Sequence, residues 1–193
     1  MKICVFCSSS NAVDDTYFEA ATHLGQLIGN NKHTLVYGGA NVGLMEQIAN
    51  TVKTAGGEII GVIPQKIHDR NLSSNHPNEL IITESMNERK KIMHQKSDAF
   101  IALPGGFGTL EEILEVITLK QLDYHQKPIV FINTNGFYNH LFNQFETSYS
   151  EGFAKENYRK LFKVVDSPEK AIDYIENYNH EDLGTKWFKV PEK

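Results

Sequence analysis

Phe100-Ile-Ala-Leu-Pro-Gly-Gly-Phe-Gly-Thr-Leu-Glu-Glu112 is the stretch on which the reading of this chain turns. The apolar run from Ala99 to Leu103 reads as a buried strand, Pro104 to Gly108 as its punctuation, and a helical pattern begins at Leu110. Gly105, Gly106 and Gly108 have no Cβ, so the backbone can turn sharply and bring its N–H groups close to a ligand. A turn that feeds a helix N-terminus presents unpaired amides and the positive end of the helix dipole to an anion. Gly105 to Thr109 is therefore a candidate phosphate site, with Thr109 as a hydroxyl donor. Thr109-Leu-Glu-Glu112 also fits the S/T-x-x-E capping box, in which Thr109 and Glu112 satisfy backbone donors. Capping alone leaves the three glycines and the proline in front of it unexplained.

Outward from this stretch the chain alternates strand-like and helix-like segments. Lys2 to Ser8 reads as the first strand, followed by the polar run Ser8 to Asn11 and a helix from Asp14 or Asp15 to about Gly29. Thr34 to Tyr37 is a second strand, running into Gly38-Gly-Ala-Asn-Val-Gly43 and a helix from Leu44 to Ala55. Glu58 to Ile63 is a third, halted by Pro64. Gln65 to Glu79 is polar and without period, so a long loop is expected, and such loops are usually functional or mobile. After a short strand, Leu80 to Thr83, the box Ser85-Met-Asn-Glu88 opens a helix carrying Arg89, Lys90 and Lys91. Thr109 to Leu122 is helical, Pro128 to Asn133 a strand, Phe137 to Tyr149 a helix, Leu161 to Val165 a last short strand, and Ser167-Pro168 starts a final helix to Asn177.

The pattern implies a doubly wound α/β fold, a mostly parallel sheet with helices on both faces, Rossmann-like in a modified form. With 193 residues, one domain over 1–179 and a tail over 180–193 are expected. Ligands in such sheets sit beyond the C-terminal strand ends. Ser8 to Asn11, Gly38 to Gly43, Ser85 to Lys90 and Pro104 to Glu112 all fall there, which makes Ser8, Gly38, Gly39 and Met86 candidate substrate-binding residues. The dinucleotide fingerprint G-x-G-x-x-G is absent.

A net charge of −5 gives no footprint for nucleic acid or an anionic membrane, and no apolar run is long enough to span a bilayer. The run Ile3 to Cys7 is too short for a signal-peptide core, so a cytoplasmic location is expected. Cys4 and Cys7 lie in a strand-like run, where positions three apart point to opposite faces, so they read as buried thiols and not as a redox or zinc pair. The eight histidines show no ligand spacing, and neither a metal nor another cofactor is expected.

Arg89 and Glu112 fall in the first turns of helices that follow strands expected to be neighbours, so both can face one cleft. Cleaving an N-glycosidic bond builds positive charge on a ribose, and a carboxylate such as Glu112 can stabilise it or orient the attacking water. Read from the residues alone, Arg89 beside Lys90 and Lys91 is more simply a solvated helix face.

The motifs together resemble the Lonely Guy (LOG) family of cytokinin riboside 5′-monophosphate phosphoribohydrolases, proteins long labelled lysine decarboxylases. Pro104-Gly-Gly-Phe-Gly-Thr-Leu-Glu-Glu112 looks like the family's P-G-G-x-G-T-x-x-E, Met86-Asn-Glu-Arg-Lys90 its M-x-x-R-K, and Gly38-Gly-Ala-Asn-Val-Gly-Leu-Met45 is similar to its G-G-G-x-x-G-L-M. The resemblance runs from Lys2 to about Gly152. It implies Arg89 and Glu112 as the catalytic pair, and Lys90, Gly106, Phe107, Gly108, Thr109, Leu110, Glu111 and Thr118 around the nucleotide. It also implies a homodimer whose subunits complete each other's sites. Ala40, Glu46, Asn71 and Asn87 depart from the family's pattern, which leaves the base open between adenine and an N6-prenylated adenine. Two other readings are a nucleotide or cofactor carrier of the same fold and a PLP-dependent decarboxylase; no lysine stands out for the Schiff base the latter needs.

Overall fold

Strand β1, Lys2–Phe6, is buried on both faces from Ile3 onward and lies at the centre of the sheet, as its continuous apolar run requires. The structure, a computed structural model, describes residues 1–183. Helix α1 (Asp15–Asn30) follows, then β2 (Thr34–Tyr37), α2 (Gly43–Thr54), β3 (Glu58–Pro64), the single turn α3 (Gln65–His68), β4 (Glu79–Thr83), α4 (Met86–Lys96) and β5 (Ala99–Ala102). Helix α5 (Phe107–Gln121), β6 (Ile129–Ile132), α6 (Asn139–Ser150), β7 (Lys163–Val165) and α7 (Pro168–Glu176) complete the order. The seven strands pair in the order β4-β3-β2-β1-β5-β6-β7, each neighbour parallel, which is the doubly wound fold expected. The tail expected over 180–193 lies outside the described residues from position 184 on.

Side chains of each strand divide between two cores by the strand period of two. Ile3, Val5 and Cys7 join Leu35, Tyr37, Ile101 and the buried faces of α1, α2 and α7. Cys4 and Phe6 point the other way, with Val36, Val62, Phe100, Met93 and Ile113, under α4, α5 and α6. The two cysteines are thus free, buried and on opposite faces. Strand order reverses between β1 and β5, which run parallel and whose following helices lie on opposite faces, so the crevice of this sheet opens at their C-terminal ends.

Three sequence expectations change. The strands before α4 and α5 are not neighbours: β4 is an edge strand and β5 lies beyond β3, β2 and β1. Helix α4 nevertheless reaches α5, because its crossover back from the edge passes over β4, β3, β2 and β1 on the same face. The segment after Pro64 is not all loop, since Gln65–His68 is helical and Ser73 bridges to Ala40, which ties it to the glycine turn after β2. Helix α5 starts at Phe107, three residues earlier than the capping-box pattern suggests.

Candidate active site

The early start of α5 changes what the glycines do. Gly106 is the N-cap, with φ −86° and no side-chain cap, so the box at Thr109 is not formed. Thr109 is instead buried in the first turn, and its Oγ1 occupies the space that a Cβ on Gly105 would need. None of Gly105, Gly106 and Gly108 has positive φ; their requirement is space and not a left-handed turn. At Gly106 and Gly108 an added Cβ would meet nothing within 4 Å. Leu110 N–H makes the first intrahelical bond, to Gly106 O at 3.1 Å, and the amides before it stand at an uncapped helix end that opens onto free space. Phe107, 92% exposed, projects beside them. Tyr138 Oη holds the base of the loop by donating to Leu103 O at 2.7 Å.

Arg89 and Glu112 meet one turn behind this opening. Ser85 caps α4 by accepting from Glu88 N–H at 3.2 Å, while Glu88 reaches back to Glu84 N–H at 2.8 Å, one residue before the position the box pattern names. That start aims Arg89 down at the sheet: its Nε donates to Val62 O at 3.0 Å and its Nη1 to Glu112 Oε1 at 2.5 Å. Arg89 is 7% and Glu112 8% exposed. Gly38 leaves the room for this, since a Cβ there would run into Nη2 of Arg89 and lie 2.8 Å from Met45 Sδ. Burial pushes the Glu112 carboxyl above its ordinary value, and the Arg89 guanidinium pulls it partly back. Arg89 is therefore not a solvated surface charge.

Lys90, adjacent to Arg89, is also buried, its ammonium held between Glu111 and Glu115, the latter at 2.9 Å. Burial lowers the affinity of this amine for its proton, and the two carboxylates more than offset that, leaving Lys90 above its ordinary value. Glu115 was not among the residues singled out from sequence; its spacing of four from Glu111 was the available signal.

The remaining candidates divide. Ser8 is buried at the end of β1, its N–H donating to Pro104 O at 3.2 Å, and so ties the two central loops together. Its carbonyl accepts from Leu44 N–H at 3.0 Å, and Gly43, at φ 58°, packs on Ser9 and Ser10 where a Cβ would collide. Gly39, at φ 73°, packs on Val62 and Ile63. Met86 is 48% exposed at the start of α4. Thr118 does not join them: it lies nine residues past Thr109 on α5, about 14 Å along the axis. There its hydroxyl donates to Leu114 O at 2.8 Å, beside a cavity of about 230 Å³ lined by Ile117, Phe145, Tyr149 and Phe153.

Larger hollows lie elsewhere. One of about 650 Å³ sits between β7 and α7, lined by Lys163, Asp166, Lys170 and Asp173, without any buried charge pair. Among the described residues there is no group of three or more His, Cys, Asp or Glu side chains fit to hold a metal, and no helix long and apolar enough to cross a membrane.

A sequence model of a family described as "Possible lysine decarboxylase" matches residues 45–175. The chain is 40% identical to cytokinin riboside 5′-monophosphate phosphoribohydrolase LOG5 of Arabidopsis thaliana over 177 residues, 92% of this chain and 78% of that one. It is 40% identical to the probable enzyme of the same name, LOGL2, of Oryza sativa subsp. japonica, over 96% of this chain and 77% of the relative. Among solved structures, the molybdenum cofactor binding protein from the phototrophic bacterium Rippkaea orientalis superposes with a TM-score of 0.70 at 29% identity, covering 91% of this chain and 94% of that one.

Proposed function

The chain belongs to the Lonely Guy (LOG) family, and from that membership we propose that it hydrolyses the N-glycosidic bond of a purine nucleoside 5′-monophosphate to free base and ribose 5-phosphate. The observation that carries this reading is the buried Arg89–Glu112 pair, one turn behind an uncapped, glycine-lined helix N-terminus. A 5′-phosphate seated on the amides of Gly106 to Thr109 brings the ribose over the pair. Ionised Glu112 then orients a water toward C1′ and offsets the positive charge of the oxocarbenium-like sugar as the C1′–N9 bond breaks. The C1′–O bond forms from that water as Glu112 takes up one of its protons; the departing base leaves with the C1′–N9 electron pair and takes a proton from solvent, to which Glu112 then returns its own. Arg89 keeps Glu112 ionised and can donate hydrogen bonds to the leaving base.

In this reading Met86, Ser8, Gly38 and Gly39, at the C-terminal strand ends or the helix that follows, belong to the substrate site, and Thr118, about 14 Å along α5 from Thr109, serves a nucleotide held by a second subunit of a homodimer. In this reading the protein works as one nucleotide-binding unit, residues 1–179, in the cytoplasm. Glu46 and Asn71 depart from the family's pattern, which favours AMP or another unmodified purine nucleotide over a prenylated one. Incubation with AMP and with N6-isopentenyl-AMP, followed by chromatography of base and ribose 5-phosphate, tests the reaction and ranks the substrates. The likeness to the Rippkaea orientalis protein supports a carrier as the second reading; tight AMP binding without base release from either nucleotide would favour it.

A further inference from the structure

Arg89 and Lys90 are consecutive on α4, and each is buried against a carboxylate of α5. Arg89 turns inward to Glu112, and Lys90 lies between Glu111 and Glu115, one turn apart on the same helix. Neither α4–α5 contact can slip alone, because adjacent residues of a helix are rigidly spaced at 1.5 Å of rise and about 100° of rotation. A single ammonium gripping carboxylates four residues apart fixes both the height and the rotation of α5 relative to α4. The Arg89–Glu112 contact at 2.5 Å has little tolerance for either. With its ammonium held against Glu111 and Glu115, Lys90 faces α5.

We propose that Glu115, through its ion pair with Lys90, is a positioning residue that holds Glu112 on Arg89 during base release; this rests on the phosphoribohydrolase reading above. The groups that face Glu112 are Arg89 and Lys90 from α4, Glu111 from its own helix, and the thiols of Cys4 and Cys7 from β1. Arg89 is the main group favouring the ionised form of Glu112. If Glu115 acts by registering α5 on α4, its loss loosens that pair and Glu112 titrates higher. If Glu115 were only one more negative charge nearby, its loss would move the titration of Glu112 down or leave it in place.

Two readouts test this on the full-length protein. Glu115→Ala is expected to lower kcat for AMP cleavage about tenfold with KM within about twofold, as a misplaced reacting group does. Glu115→Gln, whose amide oxygen can stand where the carboxylate oxygen lies 2.9 Å from Lys90 Nζ, recovers most of that loss. Side-chain ¹³C titration of Glu112 should move upward in Glu115→Ala and not in Glu115→Gln. Glu115→Asp, one methylene short but still charged, carries the same expectation as the alanine variant if the latter does not fold. An unchanged kcat, or a Glu112 titration that moves down or stays in place, overturns the proposal. Failure of the wild-type protein to cleave either AMP or N6-isopentenyl-AMP would defeat the underlying reading separately, since the titration requires no turnover.

Discussion

Gly38, at the end of β2, lies directly against the guanidinium of Arg89, which starts more than fifty residues later on a helix from the far edge of the sheet. A Cβ at position 38 would occupy the place of Nη2 and press on Met45. Gly38→Ala should therefore push Arg89 off Glu112. The expected result is a kcat for base release about 100-fold lower, with a loss of about 1–3 kcal/mol in unfolding free energy from overpacking. Steady-state kinetics and urea unfolding of the variant check both numbers.

Gly106 offers the opposite case. Nothing within 4 Å would meet a Cβ there, and its φ of −86° suits any residue. Gly106→Ala should leave the thermal midpoint within a degree or two. A methyl group set against the open helix end should still weaken AMP binding by about tenfold or more, because the phosphate can no longer approach the amides. Calorimetric titration with AMP reads this directly, and wild-type affinity would mean that the anion binds elsewhere.

The pH dependence follows from the burial of Glu112. Its carboxyl is held above the ordinary value of 4.5, and the reaction uses the ionised form. Activity should therefore fall as pH is lowered through a midpoint above 4.5, seen as the acid limb of kcat/KM for AMP. Arg89→Met removes the group that pulls this carboxyl down, so the ¹³C titration of Glu112 should move further up in that variant.

Lys120 gives a stability signature outside the site. Burial lowers its amine to about 8 from an ordinary 10.5, and its Nζ donates to Tyr178 Oη at 2.9 Å while lying 4.8 Å from that ring's centre. Between those two values the unfolded chain binds the extra proton, so this residue makes the fold gain stability as pH rises from about 8 to 10.5. Lys120→Met should raise unfolding free energy at pH 7 by about 1 kcal/mol, the value after solvent screening and the lost hydrogen bond are taken off. The gain should vanish by about pH 10.5, as measured by urea unfolding across that range.

The sheet was legible in the sequence because both of its faces are covered. Runs such as Ile129–Ile132 are buried throughout and carry no polar interruption, and the glycine turns mark where each strand ends. Strand order was not legible. Nothing in Leu80 to Thr83 says that it is an edge strand, and Arg89 reaches Glu112 by way of a crossover that no local pattern records. The glycines of Pro104 to Gly108 serve space and not a sharp turn: Gly105 makes room for Thr109, and Gly106 and Gly108 border open space, with no left-handed turn among them. The capping pattern at Thr109 misled because Gly106 starts the helix earlier, which turns the Thr109 side chain into the core. Glu115 went unmarked because an exposed-looking glutamate on a helix carries no sign of a lysine arriving from another one.

The most direct test of the central claim is a single-turnover experiment, with protein in excess over AMP, comparing wild type with Glu112→Gln. Adenine and ribose 5-phosphate are expected in equal amounts from the wild type. Glu112→Gln is expected to bind AMP with similar affinity and release adenine about 10³-fold more slowly, the scale of a lost acid–base group. Adenine release by Glu112→Gln at the wild-type rate would contradict the account.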